Sequence, residues 1–500
     1  MTGSRLKLVT GGRVLDLGGD LDHPEIADVL IEGDRIVAVG AAATARAGAL
    51  EGVETIHAEG HLLIPGLVNS HYHSHDVLLR GSYEQMPLDI WGLYTHPANY
   101  RRISTQDIGL RTLLGAADAL CNGITTMQDM VTIADPERGH VDAIMGAYEA
   151  SGARAAIGLQ IADAAGVDAV PFWRDLPDDV TQLLPGAADT SALQRLIETL
   201  VMEGGRDKID WVLAPSAPQR CSDGLLRWVA ELSAIYGLQV FTHLYEARSQ
   251  VVLARQAYEG GSLLAHLEKF GLVGPRLTIA HGIWIDEEEI RRFGAAGANL
   301  AFNPMSNMKL RNGFAPIVAY DEAGAGLALG CDNCSCNDTQ NLFLSMKMFA
   351  LFWGFQTQAG ESGAARRAFA AATLGGAKAL GRAGDLGAIR PGYLADMVMI
   401  DLSGANYRPL NSAIRQLVYG ESGQNIRAVM VGGEIVVRDG ELLAYSNDEL
   451  KQAAEDARSR MREEVEQVEA RNAGMLKSLL EAYEKAEAVE LPFDRFSIRR

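Results

Sequence analysis

The chain has 500 residues, of which 48% are hydrophobic, and its 64 acidic against 45 basic residues give a net charge of −19. This length exceeds one ordinary domain, and this hydrophobic content supplies a full core and excludes general disorder. The acidic balance disfavours nucleic acid as a partner, and the lack of an apolar run of about 18 residues disfavours a membrane span.

Short strands are predicted at both ends of the chain. Residues 1–65 contain β-branched runs that glycine and aspartate interrupt, as in ADVLIEGDRIVAVG, and residues 385–445 contain a similar set, as in IRAVMVGGEIVV. We expect the two stretches to form one composite β-sandwich domain, with a large central domain inserted between its halves.

Residues 66–384 alternate predicted strands with predicted helices. The strands are expected at 66–73, 123–129, 153–160, 210–217, 238–246, 277–285, 299–304 and 326–333, and helices among them at 107–121, 223–236, 286–297 and 340–353. Eight such units favour a parallel (β/α)8 barrel, with a doubly wound open sheet as the competing architecture. The predicted fold class is therefore α/β, a TIM-type barrel with a small β-sandwich domain built from both ends of the chain.

Two further segments have a composition of their own. Residues 163–195 are rich in Asp, Pro and Ala and are predicted to form a long excursion over the barrel mouth. Residues 447–488 are nearly all helix formers with a thin apolar stripe. This pattern predicts that 446–500 is a C-terminal helical extension, packed on the barrel or on a partner subunit.

The cysteine content and the start of the chain bear on its compartment. Five cysteines are too few and too unevenly spaced for a disulfide framework in a chain of this length. Residues 1–7 contain no apolar signal core. Both observations indicate a cytoplasmic protein.

Four histidines and one aspartate fall at the ends of predicted strands, where a barrel carries its active site. His71 and His73 end the first strand, and alternate residues of a strand point the same way. His243, His281 and Asp332 end the fifth, sixth and eighth strands. Each alone has a plainer explanation, such as a core histidine or a helix N-cap. Their common position favours a site for a borderline divalent ion such as zinc.

Glu246 and His75 extend this pattern. Glu246 lies three residues after His243, in THLYE, where a carboxyl group could move protons between bound water and substrate; the alternative is an exposed loop glutamate. His75 continues the first strand's alternation to H-x-H-x-H and is predicted to contact the substrate.

Three cysteines, Cys331, Cys334 and Cys336, flank Asp332 and could be interpreted as a zinc knot. Because Cys121 and Cys221 are isolated, no second pair is available to complete such a site. We therefore expect the three cysteines near Asp332 to serve as small residues that line a tight turn. The other six histidines are predicted to be structural: His23, His57, His61, His96, His140 and His266.

The same segments resemble the motifs of the amidohydrolase superfamily. PGLVNSHYH is similar to its opening P-G-x-x-[ND]-x-H-x-H motif. THLYE, AHGIWID, NPMSNMKL and LGCDNCSCNDTQNLF are similar to later motifs of the branch that contains guanine deaminase, S-adenosylhomocysteine deaminase and the triazine hydrolases, and LLRGSYEQMPLDIWG resembles the helix after strand 1. The motifs occur in order from about residue 5 to about residue 440, so the resemblance leaves out the C-terminal helix.

The resemblance implies one divalent metal ion per chain, with zinc as the first candidate and Fe2+ as the alternative. Its ligands would be His71, His73, His243 and Asp332. Glu246 would be the proton shuttle, and His281 would polarise the substrate or orient the hydroxide. Binuclear relatives carry a carboxylated lysine at the end of strand 4, where this chain has LAPSA instead.

The implied reaction is deamination of an aminated N-heteroaromatic ring, by attack of metal-bound hydroxide and release of ammonia. The same chemistry with another leaving group (a substituted amine, a halide or an amide) is the alternative. A catalytically silent binding barrel is a third interpretation, which the presence of all six site positions disfavours.

The implied substrate is a small heterocycle. Relatives that act on adenosine derivatives carry an acidic residue where this chain has Pro97, Ala98, Asn99 and Tyr100, and an arginine after strand 3, where it has IGLQIAD. Both departures favour a triazine or pterin-like ring over a nucleoside amino acid. We expect Trp91, His75 and Asn303 to contact the substrate, with stacking on Trp91, Tyr94, Phe172 or Trp173, and we expect a homo-oligomer.

Overall fold

A computed structural model describes residues 6–100 and 103–497. Most strands of its barrel are short and buried along their whole length, as parallel strands covered by helices are. The strands are β1 (Leu6–Val14), β2 (Ile26–Glu32), β3 (Arg35–Val39), β4 (Glu54–His57), β5 (His61–Pro65), β6 (Leu67–Tyr72), β7 (Ile124–Val131), β8 (Arg154–Ile161), β9 (Ile209–Trp211), β10 (Ala214–Pro215), β11 (Val240–Leu244), β12 (Leu277–His281), β13 (Asn299–Phe302), β14 (Gly326–Leu329), β15 (Met397–Asp401), β16 (Ile426–Val431), β17 (Glu434–Arg438) and β18 (Glu441–Leu442).

Helices follow most barrel strands. Short helical turns lie at Ser74–Leu79, Pro97–Asn99, Trp173–Asp175, Pro218–Arg220, Glu259–Gly261, Ala371–Gly375 and Ala405–Tyr407. The α-helices are α1 (Ala41–Gly48), α2 (Leu88–Thr95), α3 (Thr105–Cys121), α4 (Arg138–Ser151), α5 (Gly166–Ala169), α6 (Asp178–Thr181), α7 (Ser191–Glu203), α8 (Asp223–Tyr236), α9 (Arg248–Ala257), α10 (Leu263–Lys269), α11 (Glu287–Ala295), α12 (Pro304–Lys309), α13 (Ile317–Glu322), α14 (Cys334–Asn337), α15 (Leu342–Gln356), α16 (Ala364–Ala370), α17 (Gly376–Ala379), α18 (Ala413–Gly420) and α19 (Asn447–Glu487).

The strands β6 to β14 close into a parallel barrel. Two arcs, β6-β7-β8-β10 with β9 beside β8, and β11-β12-β13-β14, pair in sequence order. At one seam, the Phe241 N–H donates to the Leu213 carbonyl at 2.8 Å; at the other, the Asp332 N–H donates to the His71 carbonyl at 2.9 Å. The predicted TIM-type barrel is confirmed, and the open doubly wound alternative is not.

A small apolar layer fills the barrel below the histidines. Its members are Val68, Met130, Ala156, Val212, Ala214, Phe241 and Leu380, all buried. A packed floor of this kind leaves the carboxyl ends of the strands as the face at which polar side chains can meet.

Capping side chains explain where the helices differ from the predicted bounds. Helix α3 begins at Thr105, two residues earlier than expected, because Ser104 and Asp107 form a capping box. Helix α15 begins later, at Leu342, because the Asn341 side chain accepts the N–H groups of Phe343 and Leu344.

Strands from both ends of the chain pair in one nine-stranded sheet. The central contact is antiparallel between β5 and β15, with Ile64 opposite Val398. The strand order runs from β18 through β15, β5 and β1 to β3. The division of this sheet into two packed layers, which a sandwich requires, stays a prediction.

Helix α19 packs against α2, α3 and α9 at the barrel mouth. The buried Asn472 side chain donates to the Leu93 carbonyl of α2 at 3.0 Å. Apolar residues of α19, of the α2 region and of the excursion after β8 share one cluster, which includes Trp91, Trp173, Val468 and Leu479. The C-terminal helix therefore packs on the barrel, which is one of the two predicted packing partners. None of the helices in the described part of the chain is long and apolar enough to span a membrane.

Candidate metal centre and active site

Three histidine rings meet at the barrel mouth. His71 lies on β6, His73 lies one residue past its end, and His243 lies on β11. The Nε2 atom of His73 is 3.3 Å from His71 Nε2 and 3.3 Å from His243 Nε2. All three rings are buried.

The hydrogen bonds at Nδ1 fix the protonation of two of these rings. His73 Nδ1 lies 2.6 Å from the Met130 carbonyl, and His243 Nδ1 lies 2.6 Å from the Ser216 carbonyl. Since a carbonyl only accepts, both Nδ1 atoms carry the proton and both Nε2 atoms present a lone pair. Burial lowers the pKa of His73 to about 3 and that of His243 well below its usual value, and the neighbouring histidines add to both shifts.

Two lone pairs 3.3 Å apart repel each other unless a cation lies between them. Atoms that bind one tetrahedral zinc ion at about 2.0–2.1 Å are about 3.3–3.4 Å from each other. The spacing and the deprotonated state of these nitrogens therefore fit a divalent ion.

Asp332 lies three residues beyond β14, in a left-handed backbone conformation with φ of 66°. Its Oδ1 is 3.5 Å from His71 Nε2 and 3.5 Å from His73 Nε2. Burial acts to raise the pKa of Asp332, but the hydrogen bond and charge of His71, with the other site histidines, hold it well below its usual value. The plainer explanation of Asp332 as an N-cap is wrong, because Asn341 caps the following long helix.

His281 ends β12 and faces Asp332 and Glu246 without reaching either. Its Nε2 is 3.8 Å from Asp332 Oδ2 and 3.5 Å from Glu246 Oε2, and this buried nitrogen has no hydrogen-bond partner. Its Nδ1 lies 2.8 Å from Asn307 Oδ1, which places the proton on Nδ1. His281 thus directs an unused lone pair at the space above the other histidines.

Glu246 is buried, so the exposed-loop alternative is wrong. It is 4% exposed, its Oε1 accepts a 3.0 Å hydrogen bond from Asn312 Nδ2, and its N–H donates to Gln250 Oε1 at 2.9 Å. Burial and the Asp332 charge raise the pKa of Glu246 to about 8. A carboxyl group that holds its proton near neutral pH can act as a general acid.

The three residues predicted to contact substrate have different surroundings. The buried Trp91 indole donates to Ser335 Oγ at 3.1 Å. His75 accepts the Thr132 N–H at Nδ1 at 3.2 Å, and burial lowers its pKa well below its usual value. Asn303 donates to the Ala301 carbonyl at 3.2 Å, and its Oδ1 has no hydrogen-bond partner. Their contact with substrate stays a prediction.

The cysteines near Asp332 take no part in a metal cluster. Cys331, Cys334 and Cys336 are free and buried. In the described part of the chain, the groups whose ligand atoms lie close enough to hold an ion are His71, His73 and His243, and His71, His281 and Asp332. The zinc-knot alternative therefore has no support.

The groups that orient the site residues are not among those predicted from the sequence. Asn307 and Asn312 bond to His281 and Glu246, and the carbonyls of Met130 and Ser216 bond to His73 and His243. The density of asparagine in NPMSNMKLRN was a usable signal for the first two. Main-chain carbonyls leave no signal in a sequence.

The Amidohydrolase family model matches residues 62–436. A 5-methylthioadenosine/S-adenosylhomocysteine deaminase of Pyrococcus abyssi is 34% identical over 444 residues, which cover 89% of this chain and 96% of that protein. A 5'-deoxyadenosine deaminase of Methanosarcina barkeri is 29% identical over 90% of this chain and 97% of its own.

Solved structures match the whole architecture. An adenosine deaminase from Xanthomonas campestris with bound zinc superposes with a TM-score of 0.80 at 28% identity, over 92% of this chain and 99% of that one. The zinc complex of an atrazine chlorohydrolase from Arthrobacter aurescens superposes with a TM-score of 0.78 at 24% identity, over 90% and 100% of the two chains, and shows the fold alone. The family match, the relatives and the shared barrel together establish that the chain is a hydrolytic enzyme of the amidohydrolase family.

Proposed function

We propose that this enzyme deaminates an aminated N-heteroaromatic ring and releases ammonia. The observation that carries the proposal is Glu246, a buried carboxyl group with a pKa raised to about 8 by burial and the Asp332 charge, 3.5 Å from His281 Nε2. Deamination needs a group that protonates a ring nitrogen, and metal storage alone does not.

Each residue of the site has a distinct task in this proposal. His71, His73, His243 and Asp332 would hold one divalent ion, which supplies a water molecule whose pKa falls to about 7. Asp332 accepts a proton from the attacking water and returns it to the leaving amine. His281 accepts a hydrogen bond at Nε2 and so orients the attacking oxygen.

Glu246 donates its proton to the ring nitrogen beside the carbon under attack. The carbon–oxygen bond forms as electrons move onto that nitrogen. The carbon–nitrogen bond to the amino group then breaks, and ammonia leaves with the proton from Asp332. The ring keeps the oxygen as a carbonyl, and the remaining hydroxyl proton returns to the Glu246 carboxylate. Water and the amine are therefore consumed in equal amounts.

The ring itself is proposed from the chain's own residues and from its relatives. The segment Pro97–Tyr100 contains no carboxylate that could bind ribose hydroxyls, which favours a triazine or pterin-like amine. The names of the relatives add adenosine derivatives to the candidates. Trp91, His75 and Asn303 are proposed as substrate contacts.

The remaining assignments are proposed on narrower grounds. Zinc, one ion per chain, is supported by the nitrogen-rich donor set. The pairing of β5 with β15 supports a composite β-sandwich domain built from 1–65 and 385–445. The barrel of 66–384 and the extension of 446–500 complete this domain division. A cytoplasmic location is supported by the five free cysteines. A homo-oligomer is supported by Leu351 and Phe355, exposed one turn apart on α15.

A panel of aminated heterocycles tests the proposed reaction, with ammonia as the readout. Pterin, guanine, melamine and adenosine are incubated with zinc-loaded enzyme, and a chlorinated triazine is assayed in parallel for chloride. Release of ammonia from at least one ring supports the proposal. Chloride release without ammonia from any ring would contradict it and favour the alternative leaving group.

A further inference from the structure

Arg220 stands at the rim of the site, with its backbone fixed from two sides. It ends the helical turn Pro218–Arg220, which follows β10. Between the strand and the turn, the Ser216 carbonyl accepts the hydrogen bond from His243 Nδ1. Its own carbonyl accepts the N–H groups of Asp163 and Ala164, both at 3.1 Å, at the start of the excursion over the mouth. The position of this residue is therefore set independently of its side chain.

The guanidinium group of Arg220 lacks a protein partner. Among residues 6–100 and 103–497, no carboxylate pairs with it and no acceptor takes a hydrogen bond from it, although the residue is partly buried. Other enclosed arginines have protein partners: Arg154 pairs with Asp396 at 3.1 Å, and Arg111 donates to two carbonyls. The five N–H donors of this guanidinium group are therefore available to a ligand at the barrel mouth.

The charge of Arg220 acts on three ionisable groups near the barrel mouth. Burial raises the pKa of Asp89 and, together with Asp332, that of Glu246, while the positive charge of Arg220 lowers both. Burial, together with the positive charge of Arg220, lowers the pKa of His96 to about 4. The cation is therefore within electrostatic range of both the α2 region and the proposed proton donor.

Neither neighbouring acid uses Arg220 as a hydrogen-bond donor. Asp89 accepts its bond from Ser249 Oγ at 2.7 Å, and Glu246 accepts from Asn312 at 3.0 Å. Beside Arg220, the Gln219 side chain is buried and its Oε1 also has no partner. Consecutive residues at the mouth thus supply a cation and an unused acceptor, two groups that a polar ligand could use.

We propose that Arg220 binds an anionic substituent of the substrate, so that the enzyme acts on aminated heteroaromatic rings that carry a carboxylate or another oxyanion. The aminated ring in this inference rests on the proposed deaminase function, whereas the anionic substituent is inferred from the residues around Arg220. A guanidinium group matches the two oxygens of such a group, which explains an arginine here in place of a lysine. Gln219 Oε1 is then available to accept an N–H of the ring.

Binding of deaminated products tests this inference without any turnover. Calorimetry compares lumazine with lumazine-6-carboxylate, and inosine with inosine 5'-monophosphate, on zinc-loaded enzyme. In at least one pair the acidic member should bind about 10–100-fold more tightly, the range of a charge-assisted hydrogen bond. The two pairs distinguish a carboxylate from a phosphate.

Variants assign the preference to this side chain. Arg220→Met should remove the preference and leave the Kd of the neutral member within about threefold, while Arg220→Lys should keep part of it. Arg255→Met, at an exposed position on α9, is the matched control and should bind as the wild type does. Zinc content, measured on each protein, should be unchanged.

Equal binding within both pairs, no binding of any of the four compounds, or a preference that survives in Arg220→Met would overturn the proposal. Ammonia release from pterin or adenosine is measured separately. A wild-type enzyme that releases ammonia but shows no preference within either pair contradicts only the role of Arg220, whereas an Arg220-dependent preference without ammonia release contradicts only the deaminase function.

Discussion

The Nε2 atoms of His73 and His243 face each other at 3.3 Å, and main-chain carbonyls hold the proton of each ring on the opposite nitrogen. The chain thus brings two lone pairs together in a buried space, which is favourable only if a cation joins them. The proposed chemistry depends on this arrangement.

Removing one of these lone pairs should remove the metal. His73→Ala is expected to lower the zinc content from about one ion per chain to near zero and to abolish activity, because a first ligand is lost. Elemental analysis of the purified protein is the measurement. His57→Ala, at an exposed histidine of β4, is the control and should retain both. Two ions per wild-type chain, or full activity in a zinc-free preparation, would count against a single-metal site.

The metal-free protein should lose stability as the pH falls below about 6.5, the ordinary histidine pKa. Burial lowers the pKa of six histidines in the folded chain. Below pH 6.5 the unfolded chain therefore binds more protons than the folded chain, and acid favours unfolding. They are His73, His75, His96, His243, His266 and His281.

Several buried carboxyl groups, among them Asp89, Asp129 and Glu289, oppose this trend, and Asp76 and Glu246 do so most strongly. Burial raises the pKa of Asp76 to about 6 and, with Asp332, that of Glu246 to about 8, so their stabilisation is present in acid and is lost as the pH rises. Because the six histidines outnumber the two strongly shifted carboxyl groups, we expect the Tm of chelated protein to be lower at pH 5.5 than at pH 7.5. An equal or higher Tm at pH 5.5 would contradict the buried, neutral histidines.

The C-terminal helix should contribute to stability through one face only. Leu479 is 1% exposed within the cluster at the barrel mouth, and its neighbour Leu480 is 37% exposed. Leu479→Ala should lower the free energy of unfolding by about 2–5 kcal/mol, as for other buried leucines. Leu480→Ala should change it by about 0.5 kcal/mol or less. Denaturant unfolding measures both, and similar losses in the two variants would show that α19 does not pack as described.

Much of the barrel could be predicted because its signals are local. Each strand is a short apolar run followed by a helical pattern, and polar residues such as His243 and His281 stand where those runs end. The geometry of a barrel then brings distant residues to one face, which is why the candidate metal site could be proposed before any distance was known.

The remaining features depend on contacts that no local pattern encodes. Asn312 reaches Glu246 across 66 positions of sequence, and Asn472 reaches Leu93 across 379. The apolar stripe of α19 indicated that the helix packs, but not on which surface. Asp332 lies beyond its strand in a left-handed conformation that is uncommon outside glycine, so its exact placement was not predictable either.

Glu246→Gln is the most direct test of the central claim, because the change keeps the shape of the side chain and removes its proton transfer. We predict that the purified variant retains the zinc content of the wild type and loses at least about 100-fold in kcat for ammonia release, since general acid–base assistance is worth about 10²–10⁴ in rate. A substrate with a halide leaving group should be less sensitive to the same change. A zinc-replete Glu246→Gln enzyme that releases ammonia at a near-normal kcat would contradict the account.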